Sequence, residues 1–181
     1  MIDLKEIQHN LLRHLEEITA SLRNAELPTT CKTHTINGSQ IRESTSVEQL
    51  SQQLPKKGNH IYWIEVSRPD ILLTQFKEKP SAVSYKCARD NQSADSQYVY
   101  VGSCTKTKLG NRFKQHFGWG NDQTYALHLA KWISNDDLIF TFSYVEIEND
   151  LLVQYLEDQM HKELKPMFGK PGGNNKVKGL S

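Results

Sequence analysis

The chain has little cysteine and almost no net charge, and no long hydrophobic run. Each shortage excludes something. Cys31, Cys87 and Cys104 are odd in number and widely spaced, with no CxxC pair and no Cys/His cluster at zinc-ligand spacing. Neither a disulfide scaffold nor a structural zinc site is therefore expected, and the thiols read as reduced and structural. No stretch approaches the run of about 20 apolar residues that a membrane span needs. The opening MIDLKEIQHNLLRHLEEI carries acids and no signal-type apolar block, which points to a cytoplasmic protein with no membrane partner. A net charge of +1 is too small for a surface that is basic all over, so any nucleic-acid contact must rest on local distribution.

What is present suffices for a core. Three Trp, seven Tyr and six Phe, with 37% hydrophobic residues overall, separate the chain from disordered sequences, and 181 residues suit one compact domain with an appendage. The charge is unevenly placed. From Met160 onward Lys162, Lys165, Lys170, Lys176 and Lys178 face one acid, Glu163, and the stretch from Lys106 to His116 adds Lys106, Lys108, Arg112 and Lys114. Two such segments either flank one groove or form ordinary solvated surface.

Periodicity divides the chain. Residues 2–24 read as an amphipathic helix with Ile7, Leu11, Leu15, Ile18 and Leu22 on one stripe, ended before Pro28. The stripe packs on the chain's own core, on a second copy in a homodimer, or on a DNA-docking surface. From Thr29 to Gly58 the composition is polar, a linker or loose subdomain, broken by a short helical pattern at Val47, Leu50 and Leu54 with Ser46 and Gln49 as a capping box. HIYWIEV at 60–66 is a strand; a helix opening at Pro69 runs to about Lys79; residues 80–97 form a long polar loop. QYVYVGS at 97–103 is the second strand. LGNRFKQHF at 109–117 and TYALHLAKWI at 124–133 are helices, DLIFTFSYVEI at 137–147 is the longest strand, and Leu152, Leu156, Met160 and Leu164 define a helix that Pro166 stops. Strands alternating with helices around a small sheet give an α+β or mixed α/β class.

Several polar residues fall where chemistry needs them. Tyr62 and Tyr100 lie in the first two strands, so their hydroxyls converge if the strands pair; the alternative is two tyrosines that merely stabilise a hairpin. Arg112 and His116 are four apart on one helix and share a face, where arginine grips a phosphate in a bidentate fork and histidine exchanges a proton. The plain alternative is surface charge. Glu157 sits at the edge of its helix's apolar arc, a place for a partly dehydrated carboxylate that binds Mg²⁺ or Mn²⁺, or for an ordinary surface glutamate.

Taken in order, HIYWI at 60–64, YVG at 100–102, L-x-x-R from Leu109 to Arg112, and E-x8-P from Glu157 to Pro166 followed by FGKPGGNN resemble the landmarks of GIY-YIG endonucleases across residues 59–175. The resemblance implies a three-stranded antiparallel sheet flanked by helices, with residues 1–55 as a helical extension and polar linker and residues 56–181 as the nuclease domain. It implies metal-dependent hydrolysis of double-stranded or branched DNA, with Mg²⁺ or Mn²⁺ on Glu157, Tyr62 as general base and Arg112 on the phosphate. Tyr100 and His116 bond the phosphate or relay a proton, and Asn174, or the adjacent Asn175, orients a late loop. Lys108, Lys114, Lys170, Lys176 and Lys178 are then candidate phosphate contacts. The sequence departs from the family pattern in two places: His60 stands where the first triplet usually has glycine, and 38 positions separate Tyr62 from Tyr100, so residues 67–97 are an insertion. The rival reading is a non-catalytic nucleic-acid-binding or protein-interaction module on the same fold.

Overall fold

The structure, a computed structural model, describes residues 3–79, 84–93, 95–105 and 107–171. Among them are a four-stranded antiparallel sheet and six α-helices, an α+β architecture. The strands are β1 (Lys32–Asn37), β2 (His60–Val66), β3 (Tyr98–Cys104) and β4 (Ile139–Glu146), arranged β1-β4-β2-β3. The helices are α1 (Leu4–Asn24), α2 (Gly38–Ile41), α3 (Ser44–Gln53), α4 (Pro69–Glu78), α5 (Leu109–Phe117) and α6 (Asp150–Leu164).

Alternation along β2 sets the layers. Tyr62 and Ile64 point to one face, where they meet Phe142, Tyr144, Phe113, Phe117 and the side chains of α3 and α4 in the main core. Ile61 points to the other, where Leu152 and Val153 of α6 cover it and α1 lies against α6. β3 is an edge strand. The stretch after α6 runs along its start, with Met167 N–H donating to Tyr98 O at 2.8 Å and Phe168 N–H to Val99 O at 3.0 Å, so that part of the edge is covered.

Three expectations from the sequence need correction. The sheet has four strands and not three, because the stretch expected to be a polar linker supplies β1. KTHTIN has one core residue, Ile36, and every other position is exposed or half-buried. An edge strand that buries one side chain leaves no alternating hydrophobic signal, yet Ile36, Ile41, Val47 and Leu54 all belong to the core around β2 and β4. The helix expected at 124–133 is an extended segment bridged to Cys87 at Ala126, then a single 3₁₀ turn at Leu129–Lys131. His128 takes a left-handed φ of 51°, and Ala126, Leu127, Leu129, Trp132 and Ile133 are all buried, so the apolar run is a plug and not a helix face. The capping box is at Asn37 and Gln40, which bond each other's backbone N–H at the start of α2. Ser46 instead donates to Glu43 at 2.9 Å one turn into α3. The helix expected at 2–24 is α1; it has no fully buried residue, and Ile18 packs with α6 against the second core cluster.

The expected polar loop before β3 is tied down in its described part: Cys87 bridges Ala126, Asp90 bridges Phe168, and Arg89 O accepts from Gly169 N at 2.8 Å. The three cysteines are unpaired, and burial pushes the Cys104 thiol up to about 11. Among the described residues no helix is long and apolar enough to cross a membrane.

Candidate active site

Pairing of β2 with β3 sets Tyr62 opposite Gly102 and Ile64 opposite Tyr100, so both phenols lie on the same sheet face. Their rings stack at 6.3 Å and 13°. Gly102 is what lets them approach, because a Cβ there would lie 2.6 Å from Tyr62 Oη and 2.8 Å from a ring carbon of Tyr100. Gly169 backs Tyr100 from the other side at φ +101°, a conformation that side chains resist, with an added Cβ 2.8 Å from the ring.

Helix α5 lays its buried side, Leu109, Phe113, His116 and Phe117, on this face and brings two polar groups to Tyr62. Arg112 Nε–H donates to Tyr62 Oη at 3.2 Å, and Tyr62 Oη lies 3.0 Å from His116 Nε2. Arg112 Nη1–H also donates to Gln115 at 2.9 Å, which fixes the guanidinium plane. The His116 ring packs on Tyr100 at 4.2 Å, so one imidazole steadies both tyrosines.

Glu157 reaches the same place from the opposite face. It lies on α6, is 8% exposed, and its Oε2 accepts from the Ser103 hydroxyl at 2.5 Å. Ser103 and Tyr100 are three apart on an edge strand and so point to opposite faces. A cavity of about 450 Å³ wraps this edge, lined by Tyr100, Ser103, Arg112, Glu157 and Lys170 together with Arg89 and Tyr125. Among the described residues three cations therefore face one carboxylate, the balance an anionic ligand needs.

Burial dominates the electrostatics. It raises Tyr62 and Tyr100 above the ordinary phenol value, against the pull of Arg112 in each case. It lowers His116 well below the usual imidazole range, with Arg112 adding to the effect, so His116 is neutral. It raises Glu157, partly offset by the Ser103 hydroxyl; Asp158 adds to the rise and Arg112 opposes it. Deprotonated Tyr62 would have two donors ready, Arg112 Nε–H and His116 Nε2–H; in the phenol form the His116 tautomer decides which of the pair donates. Among the described residues His116 Nδ1 is buried without a partner, an uncommon state for a core imidazole.

Sequence reasoning selected Tyr62, Tyr100, Arg112, His116 and Glu157, and the fold brings all five together. Tyr62 and His116 form the layer behind the cavity, each 0% exposed. Lys170 lines the cavity, and Lys108 is exposed where α5 begins. Lys114 turns away to an ion pair with Glu48 of α3 at 3.1 Å. Asn174, Asn175, Lys176 and Lys178 lie outside the described residues, as does Lys106. Sequence reasoning missed Ser103, Arg89 and Tyr125. Ser103 lies on the face of β3 opposite Tyr100, so alternation from Tyr100 passes over it; only the pairing of that face with α6 brings it to Glu157, while Arg89 and Tyr125 enter through loops whose course depends on tertiary contacts.

A divalent cation fits here in one form only. Among the described residues no group of three or more His, Cys, Asp or Glu side chains could cage a metal. Magnesium bound for phosphate chemistry usually keeps its waters and takes one or two carboxylates plus substrate oxygens, and a single desolvated carboxylate on a cationic cavity matches that donor set. Compared with protein-family models, with curated proteins and with solved structures, the chain matches none.

Proposed function

We propose that the protein is a metal-dependent endonuclease of the GIY-YIG type that hydrolyses phosphodiester bonds of DNA. One observation carries the reading: Tyr100 of β3, Arg112 of α5 and Glu157 of α6 line one cavity rimmed by Lys170 and Arg89, and Tyr62 of β2 and His116 of α5 stand directly behind it, with Tyr62 bonded to both Arg112 and His116. Tyr62, Tyr100, Arg112 and Glu157 are also the residues at the ordered landmarks of the resemblance, and His116 lies one helical turn after the arginine.

On this reading Arg112 binds a non-bridging phosphate oxygen while its Nε–H stays on Tyr62, and Arg89 and Lys170 hold the flanking backbone. Glu157 would hold the Mg²⁺ or Mn²⁺ ion, which when bound would supply positive charge to the leaving oxygen and to the groups around it. Tyr62 is the general base. Its raised pKa makes it a phenol in the free protein, so it loses its proton only when charge is added to the cavity; the two donors on its oxygen then stabilise the phenolate. Tyr100 stands at the cavity surface with Tyr62 behind it, which favours a second assignment in which Tyr100 meets the nucleophile and Tyr62 fixes Arg112. His116, kept neutral by burial and by Arg112, holds the Tyr62 oxygen in place through the 3.0 Å contact of its Nε2.

The test is nicking of supercoiled plasmid by the intact protein with Mg²⁺, with Mn²⁺ and with EDTA. Open-circular product that requires the cation supports the reading. Binding without cutting of plasmid, branched DNA or RNA assigns the chain to a non-catalytic module on the same fold.

A further inference from the structure

One wall of the cavity comes neither from the sheet nor from α5 and α6. Cys87, Ala88, Arg89 and Tyr125 supply it from two loops, and backbone bonds hold the two together. Ala88 N–H donates to Ala126 O at 2.8 Å, Ala126 N–H to Lys86 O at 3.3 Å, and Lys86 N–H to Asp122 O at 2.9 Å. The same stretch is tied to the site, because Gly169 N–H donates to Arg89 O and the Gly169 backbone lies against the Tyr100 ring. Tyr125 is therefore held at a set place relative to Tyr100. Behind it Ala126, Leu127, His128 and Leu129 are at most 1% exposed, whereas Tyr125 itself is 59% exposed. Core packing does not account for this ring. Lys86 Nζ lies 5.5 Å from its centroid, so an open aromatic face and a cation stand side by side at the cavity.

We propose that Tyr125 is a stacking platform for an unpaired base beside the phosphate held by Arg112, so that the substrate is DNA with a single-stranded nucleotide at the cut, as at a flap or branch, and not a continuous duplex. This rests on the reading that DNA enters the cavity. Sites that follow a single strand combine cations for its backbone with an aromatic face for its bases; Lys86, Arg89 and Lys170 supply the first and Tyr125 the second. Size agrees. At about 450 Å³ the cavity falls within the range of about 300–1,000 Å³ for sites that enclose one small molecule, the scale of a single nucleotide. A duplex, whose major groove alone is about 12 Å wide, can lay its backbone across the mouth but cannot place a paired base inside. That base must first leave its stack, a cost that an unpaired base does not carry. Because every base has a face that stacks, the platform selects strand structure and not sequence.

Binding of the full chain in EDTA tests this without cutting. The intact protein holds a flap or single strand more tightly than a continuous duplex of the same sequence, and 2-aminopurine in place of the unpaired bases loses fluorescence as it stacks. Tyr125→Ala and Tyr125→Leu weaken flap binding by about 5- to 150-fold, the range for one base on one aromatic side chain, and abolish the quenching. Tyr125→Phe and Tyr125→Trp keep both. With the ring 59% exposed, all four variants retain a native circular dichroism spectrum. Equal affinity of the intact protein for flap and duplex, preference and quenching that survive Tyr125→Ala, or their loss in Tyr125→Phe and Tyr125→Trp overturns the proposal. A Tyr125-dependent flap preference without cation-dependent cutting keeps it and removes only the catalytic reading, whereas no binding of any DNA overturns both.

Discussion

Gly102→Ala is the smallest change that should disable the site. The new Cβ would lie 2.6 Å from Tyr62 Oη, 2.8 Å from Tyr62 Cζ and 2.8 Å from Tyr100 Cε1. Comfortable contact begins at about 3.5 Å, so the two rings must retreat by roughly 0.7 Å. They have no free direction: Phe142 stacks on Tyr62 at 5.3 Å, His116 packs on Tyr100 at 4.2 Å, and Tyr62 is fully buried. A retreat of that size takes the 3.0 Å contact to His116 and the 3.2 Å bond from Arg112 past hydrogen-bonding range. One methyl forced into a packed core costs about 1–3 kcal/mol, and a weakened charge-assisted bond adds about 1 kcal/mol or more. The expected loss is about 2–4 kcal/mol, or a fall in Tm of about 5–15 °C for a chain of this size. A shift approaching 1 Å in a group that positions reactants costs about a hundredfold in rate. Differential scanning calorimetry and plasmid nicking on the same preparation read both effects. A Gly102→Ala protein with unchanged Tm and unchanged cleavage refutes the claim that this glycine exists to let two phenols meet.

Three further outcomes are expected. Glu157→Gln keeps the bond from Ser103 and relieves a carboxylate that burial disfavours; the variant melts higher, by about 0.5–2 kcal/mol in stability, while cation-dependent cleavage is lost, and a lower melting point contradicts this. His34, His60, His116 and His161 all have lowered pKa values, so the unfolded chain takes up more protons just below 6.5 and stability falls as pH drops through that window. Glu157, with its raised pKa, acts in the opposite sense; four imidazoles outweigh it, and the urea midpoint should be lower at pH 5 than at pH 7, with a smaller difference in His116→Gln. Lys170 lines the cavity and Lys114 is paired with Glu48, so Lys170→Ala lowers the salt slope of DNA binding by about 0.9 while Lys114→Ala leaves it unchanged; equal effects would show that the cavity is not the DNA surface.

The site was more legible than the fold around it. Tyr62, Tyr100, Arg112 and Glu157 sit on strands and helices whose periodicity is strong, and periodicity fixes which face a residue occupies. β1 was invisible because an edge strand with one core residue has no pattern to read. The segment 124–133 misled for the opposite reason. Its apolar residues are buried on several sides, and Ala126, Leu129, Ala130 and Ile133 mimic a helical stripe that the left-handed turn at His128 cuts. α1 was found as a helix, but periodicity reports only that an apolar face exists, not what covers it. Arg89 and Tyr125 reach the cavity through chain crossings, and local sequence does not encode the partner a loop will meet.

On the proposed reading Tyr62, Tyr100, Arg112 and Glu157 act as one phosphodiester-cleaving unit. The direct measurement is the single-turnover nicking rate in Mg²⁺ of Tyr62→Phe, Tyr100→Phe, Arg112→Lys and Glu157→Gln, each first checked for a native circular dichroism spectrum. All four folded variants are expected to lose about a hundredfold or more relative to the parent protein. Cleavage at the parent rate by folded Glu157→Gln or folded Arg112→Lys would contradict the claim, and the cavity at the edge of β3 would not be where the chemistry happens.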